Sequence, residues 1–246
     1  MINMKNKILY LLTIYVCGCM SMFGQTDNAK LIKPLEANLM DYASLLQATG
    51  YEVFPFDISS LSDGQYEITF RFKEYKDGKE IRDRYFGGGR PFNNMRFLSD
   101  FPKDNQEKIK PENMADANLG IYSMGKRITI GFIPSVNDSI RPIIANVENM
   151  GQLTGQMRMF PQYTDNDSVN GEKRYIYATV PFKLHELKTG EFIPLVLYGS
   201  FWYDEKFKIH RFCGEKEIDP DMSSKILQYV PHYYVIEIEV QPVKML

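Results

Sequence analysis

An antiparallel β-sandwich or partly closed barrel, with one amphipathic helix near the N-terminus and a short helix near the C-terminus, is the mainly β architecture predicted for this 246-residue chain. Three observations predict it. Apolar and polar residues alternate in short runs, the period of a strand with one wet face. Turn-forming residues separate those runs, and the helical crossovers that a βαβ sheet needs are missing between them. A content of 44% hydrophobic and 24% charged residues belongs to a globular protein that buries a core.

The chain begins as an export segment. Lys5 and Lys7 precede an apolar run from Ile8 to Val16, which grades into small and apolar residues up to Gly24. That is the layout of a signal peptide, and the run is too short for the roughly 18 apolar residues of a spanning helix. Cleavage after Gly24 makes residues 1–24 the signal and residues 25–246 a single β-rich domain, with two tightly packed β-modules as the alternative. Val16-Cys17-Gly18-Cys19 offers a second exit as a lipobox that lipidates Cys19. Either route predicts an exported protein, periplasmic, outer-membrane-associated or extracellular. Cleavage after Gly24 leaves Cys213 as the one cysteine, so no internal disulfide is expected.

Leu35, Leu39, Tyr42 and Leu46 recur at helical spacing between Pro34 and Gly50, predicting an amphipathic helix over residues 34–49. Next, Tyr66, Ile68, Phe70 and Phe72 alternate with Glu67, Thr69, Arg71 and Lys73, then Asp77-Gly78 supplies a turn and residues 80–86 return as a second strand. Further strands are expected at 53–58, 128–132, 140–147, 155–160, 176–182, 195–201, 207–212 and 234–240. Asp219-Pro220 starts a short helix that reaches Gln228 before Pro231 stops it. Two long polar loops, 99–118 and 161–173, separate strands without resembling interdomain linkers.

Charge and motifs exclude several functions. The net charge of −2 lacks the basic excess that phosphate binding leaves, so nucleic acid is not an expected partner. Asp165, Asp167 and Asn170 fail the EF-hand order at Val169, and Gly87-Gly88-Gly89-Arg90 lacks the Lys-Ser/Thr of a phosphate loop. His185, His210 and His232 show no paired metal-ligand spacing, and no local nucleophile motif surrounds Cys213 or any serine. No catalytic residue, metal or cofactor is therefore assigned.

The feature that does stand out is aromatic. If Ile176, Ala178, Val180 and Phe182 face the core, Tyr175 and Tyr177 face the other way; if Leu195, Leu197 and Phe201 face it, Tyr198 and Trp202 are the outward set. Tyr175, Tyr177, Tyr198 and Trp202 are the candidate ligand-binding residues, because rings stack on sugars or anchor partner proteins. The alternative is that a second layer covers that face and these rings are core.

The export segment ending Phe23-Gly24-Gln25, the stretches 198–204 and 211–215, and Pro231-His232-Tyr233-Tyr234 resemble uncharacterised secreted β-sandwich proteins of Bacteroides-type bacteria. The resemblance implies compartment and fold, and no catalytic residue. Asp138-Ser139-Ile140 and Asp167-Ser168-Val169 also look like the acceptor that such bacteria O-glycosylate. Two functions are consistent with this reading. The first is a non-catalytic envelope protein that binds a glycan or partner protein through its aromatic face. The alternative is an extracellular polysaccharide hydrolase, which requires two carboxylates about 5 to 10 Å apart.

Overall fold

The computed structural model describes residues 39–135, 139–161, 176–184, 186–204, 206–212 and 214–243. The chain divides into two compact units, residues 1–42 and 43–246, and the β architecture lies in the second. Helix α1 (Leu39–Ala48) crosses the boundary and ends where expected, with Gly50 at a φ of 87° and the Thr49 hydroxyl bonded to the Leu45 and Leu46 carbonyls. Residues 34–38 of the expected helix lie outside the described residues.

Two antiparallel sheets form the body. One has the order β1 (Glu52–Asp57), β7 (Arg127–Phe132), β8 (Ile140–Val147), β9 (Gly151–Arg158). The other runs β10 (Tyr177–Pro181), β11 (Phe192–Ser200), β14 (His232–Pro242), β2 (Tyr66–Lys76), β3 (Lys79–Tyr85), with β4 (Phe92–Asn93) also pairing with β2. Neither closes into a barrel. Their facing sides share one core: Ile128, Ile130, Ile143 and Ala145 from the first meet Ile68, Phe70, Phe72, Ile236 and Ile238 from the second. Alternation on β2 and β14 places those side chains on one side, while Glu67, Thr69, Arg71 and Lys73 point away.

The β2–β3 hairpin follows its sequence closely. Asp77 and Gly78 both have positive φ, 50° and 73°, the pairing that lets a two-residue turn match strand twist. Phe70 is 1% exposed and meets the edges of Phe86 and Phe92 at 6.4 and 6.1 Å between ring centres. Phe86 reaches the core because the glycines that follow turn the chain sharply; a Cβ on Gly87, at a φ of 58°, would stand 2.5 Å from Leu153.

Between β3 and β7 the chain makes a long excursion. It holds β5 (Met95–Phe97) paired with β6 (Ile121–Met124), and α2 (Lys103–Gln106) between them. These short strands carry too few alternating positions to be read from sequence.

The six-stranded sheet is also covered on its outer side by a second layer, as the alternative reading of the aromatic strands allowed. After β11 the chain forms a small hairpin, β12 (Trp202–Asp204) with β13 (Ile209–Arg211), and then returns across the sheet. Ile218, Leu227 and Val230 from this layer pack on Val180, Phe182, Leu197, Tyr233 and Val235. The expected helix near the C-terminus shortens to a 3-10 turn, Lys225–Gln228, because Met222 adopts a left-handed φ of 60° that α-helix cannot hold. No helix among the described residues is long and apolar enough to cross a membrane.

Phe70→Ala should lower the unfolding free energy by about 3 to 5 kcal/mol, read by urea denaturation, because the ring leaves a cavity among fixed aromatic neighbours. A loss under about 1 kcal/mol would mean that the hairpin does not anchor the sandwich.

Candidate functional site

The aromatic side chains of the C-terminal half divide into two groups with different surroundings. The first is internal. Tyr198 is 3% exposed, its hydroxyl donating to Met159 Sδ at 2.9 Å and its ring 5.5 Å from that of Phe132. Tyr177 stacks on it at 5.1 Å. Both rings point between the sheets, while Val180, Phe182 and Leu197 occupy the second cluster under the outer layer. A second layer on the outer side reverses the inward and outward sets that period-two alternation suggests for β10 and β11. A register shift between Pro194 and Val196 further lets Leu195 and Val196 both reach the inter-sheet core.

At this end of the sandwich, polar groups cross the seam in a chain. The Phe160 N–H donates to the Tyr177 hydroxyl at 2.9 Å, which meets His232 Nδ1 at 2.8 Å; His232 Nε2 lies 3.1 Å from Glu74 Oε1. A carboxylate accepts, so Nε2 carries the imidazole proton and Tyr177 donates to Nδ1. Glu74 Oε2 faces Arg82 Nε at 3.5 Å. Beside this chain, the Tyr234 hydroxyl accepts from the Arg158 N–H and donates to the Arg158 carbonyl, both at 3.0 Å. Burial pushes the Tyr177 and Tyr234 phenols well above their ordinary range. His232 and Glu74 are 3% and 2% exposed, so the arrangement resembles a catalytic relay in connectivity but joins two sheets.

The second group is at the surface. Trp202 does not share a face with Tyr198, because β11 ends at Ser200 and Trp202 opens a different strand, β12, paired with β13. Its indole lies nearly parallel to Tyr229, 27° apart and 6.1 Å between centres, and Tyr229 is 61% exposed. Across the hairpin Trp202 pairs with Arg211. The Arg211 guanidinium lies 4.4 Å over the exposed ring of Phe207 and its Nε is 3.0 Å from Asp204 Oδ2. Asp204 Oδ1 in turn accepts the backbone N–H groups of Lys206 and Phe207, which holds the turn. The Tyr229–Trp202 pair and the Arg211–Phe207 pair thus form a strip, joined by the Trp202–Arg211 pairing of the hairpin.

Of the four residues singled out from sequence, Tyr177 and Tyr198 come together inside, Trp202 is part-exposed on the outer layer, and Tyr175 lies outside the described residues. Sequence reasoning missed Tyr229, Phe207 and Arg211. Phe207 had one available signal, an aromatic placed in the turn Lys206-Phe207-Lys208 between charged residues. The calcium-like loop 165–170, His185 and Cys213 also lie outside the described residues. Among the described residues no three His, Cys, Asp or Glu side chains gather as a metal site. His210 meets Tyr203, with 5.3 Å between ring centres.

The His232 contact makes a pH prediction. Facing the imidazole are Glu74, Lys76 and Asp77 from β2 and its turn, Tyr177 from β10 and Tyr234 from its own strand. Burial outweighs Glu74 and holds His232 below its ordinary value of 6.5. A folded value below the unfolded one gives stability that is fully present above pH 6.5 and lost as pH falls through the folded value. The unfolding free energy of wild type should therefore fall below pH 6.5 more steeply than that of His232→Asn, measured by denaturant titration at stepped pH. Equal slopes would exclude the imidazole. Tyr177→Phe strands the Phe160 N–H and should cost about 1 to 3 kcal/mol at neutral pH in the same assay.

Residues 21–242 match the family described as Domain of unknown function (DUF5041). No curated protein and no solved structure matches the chain.

Proposed function

The chain belongs to the DUF5041 family, and for this member we propose a non-catalytic glycan-binding role outside the cytoplasmic membrane. The observation that carries this reading is the nearly parallel pair Trp202 and Tyr229, with Tyr229 open to solvent and Arg211 beside Trp202. Two rings in a rigid surface layer offer a sugar an apolar face at little conformational cost, and the neighbouring guanidinium and carboxylate supply directional bonds. The layer is rigid because Ile218, Leu227 and Val230 anchor it on the sheet.

Export fits this role. Lys5, Lys7 and the apolar run that follows support removal of residues 1–24, or lipidation at Cys19, leaving residues 25–246 as one binding domain. A hydrolase finds less support in the acids the structure brings together. Asp83 and Glu237 approach each other through Arg71, whose Nη1 and Nε lie 3.4 and 2.6 Å from them, so both carboxylates are engaged by one guanidinium.

Trp202 is the only tryptophan, so its fluorescence reports directly on the strip. Titrating neutral and acidic polysaccharides should shift that emission for at least one of them. Tyr229→Ala should weaken the same binding by about 1 kcal/mol or more while leaving the thermal midpoint unchanged, since its ring is mostly in water. No response to any polysaccharide, or unchanged affinity in Tyr229→Ala, would remove the proposal.

A further inference from the structure

Four strands end the two sheets, β1 and β9 in one and β10 and β3 in the other. Three of them carry features that discourage another strand from pairing there. Pro55 interrupts the donors of β1, and Lys79, Glu80, Arg82, Asp83 and Arg84 charge β3 along its length. β10 ends at Pro181, and its Thr179 hydroxyl donates to Glu52 Oε2 of β1. β9 has none of these: it is eight residues long, with neither proline nor charge before Arg158.

One residue shows which way the backbone groups of β9 point. Arg158 turns its N–H and C=O to the Tyr234 hydroxyl, away from β8. Backbone groups alternate sides along an antiparallel strand, and β9 pairs with β8 without a register shift, so Gln156 and Thr154 present theirs on that same free side. Tyr234 closes the edge at Arg158, whereas neither Gln156 nor Thr154 has a backbone partner beyond the edge among the described residues. Both line a cavity of about 420 Å³ that opens between β9 and β3. Phe72 and Phe86 line it from the opposite side, and Arg84, which stands across from Phe72 in the β2–β3 register, shares that inward face.

The charge around this cavity is positive. No carboxylate lines it. Asp83 and Glu80 lie on the outward side of the sheet, paired with Arg71 and Lys73. On the inward side Glu74 is buried between His232 and Arg82, while Arg84 has no ion pair among the described residues. Arg158, exposed on β9, has none there either. Arg82, Arg84 and Arg158 thus stand against Glu74 alone, and Arg84 and Arg158 are left for an incoming charge.

We propose that β9 accepts an extended acidic peptide segment as an added strand, its main chain bonded to Thr154 and Gln156 and a carboxylate side chain on Arg84. Main-chain hydrogen bonds supply affinity in strand addition, and a free guanidinium at its side selects for acid. A second copy of this chain could offer an edge of its own, but its β9 would bring a further Arg158 and no carboxylate.

The test reads backbone amide exchange of the full chain by NMR. The probes are acetyl-Val-Glu-Thr-Glu-Val-amide, its Gln isostere, and two forms of the acidic peptide, one N-methylated at the glutamates and one at the other residues. In the free protein the Thr154 and Gln156 amides should exchange freely, and saturating acidic peptide should slow them about tenfold or more. The isostere should bind about tenfold more weakly, and one of the two N-methylated forms should not bind, because its donors on the pairing side are gone. Arg84→Gln, at an exposed position, should weaken binding of the acidic peptide as the isostere does. Gln156→Pro removes a donor from the free side and spares the ladder to β8, so it should abolish binding; Arg84→Gln and the N-methylated peptides carry the test if that variant fails to fold. Protection of these amides without peptide, whether in the monomer or lost on dilution of a dimer, would overturn the proposal. So would equal binding of the isostere, unchanged affinity in Arg84→Gln, or equal binding of both N-methylated forms. None of these outcomes bears on Trp202.

Discussion

Two sheets bury their faces against each other at least cost where the polar groups caught between them find partners, and at one end of this sandwich phenols supply them. Tyr234 closes on both backbone groups of Arg158 at the end of β9, and Tyr177 takes the Phe160 N–H just beyond it. β9 is an edge strand of its sheet, so these hydroxyls replace contacts that water or another strand would make. His232 and Glu74 then complete the chain from inside the six-stranded sheet. Each hydrogen bond of the chain holds only while the others stay in place, which gives the seam a single geometry.

That seam also explains why β11 and β14 are buried on both faces. Tyr198 and Tyr234 project between the sheets, leaving Leu197, Tyr233 and Val235 apolar on the other side. An apolar outer face needs cover, and the return of the chain from β13 to β14 provides it through Ile218, Leu227 and Val230. The cover has its own outer surface, and Trp202, Tyr229 and Phe207 are placed there. The candidate glycan surface is thus a consequence of how the sheet is roofed.

The strip of rings sits on the excursion between β11 and β14, separate from the one between β3 and β7, so the sandwich carries two insertions on a shared frame.

Alternation and turn chemistry are local, and what depends on them was legible in the residues alone. The β2–β3 hairpin with its Asp77-Gly78 turn, the strands β7, β8 and β14, the stop at Gly50 and the mainly β architecture all follow from neighbours a few positions apart. Which side of a strand becomes interior is not local. Period two says only that Tyr198 and Leu197 point opposite ways; the packing of Phe132 and Met159 against one side, and of Val230 near the other, makes both of them core. Trp202 escaped the pattern because the strand breaks at Phe201, and Tyr229, at the end of a 3-10 turn, because its ring partner lies in the β12–β13 hairpin. Those placements rest on contacts between segments distant along the chain, where burial of one face depends on what another segment lays over it.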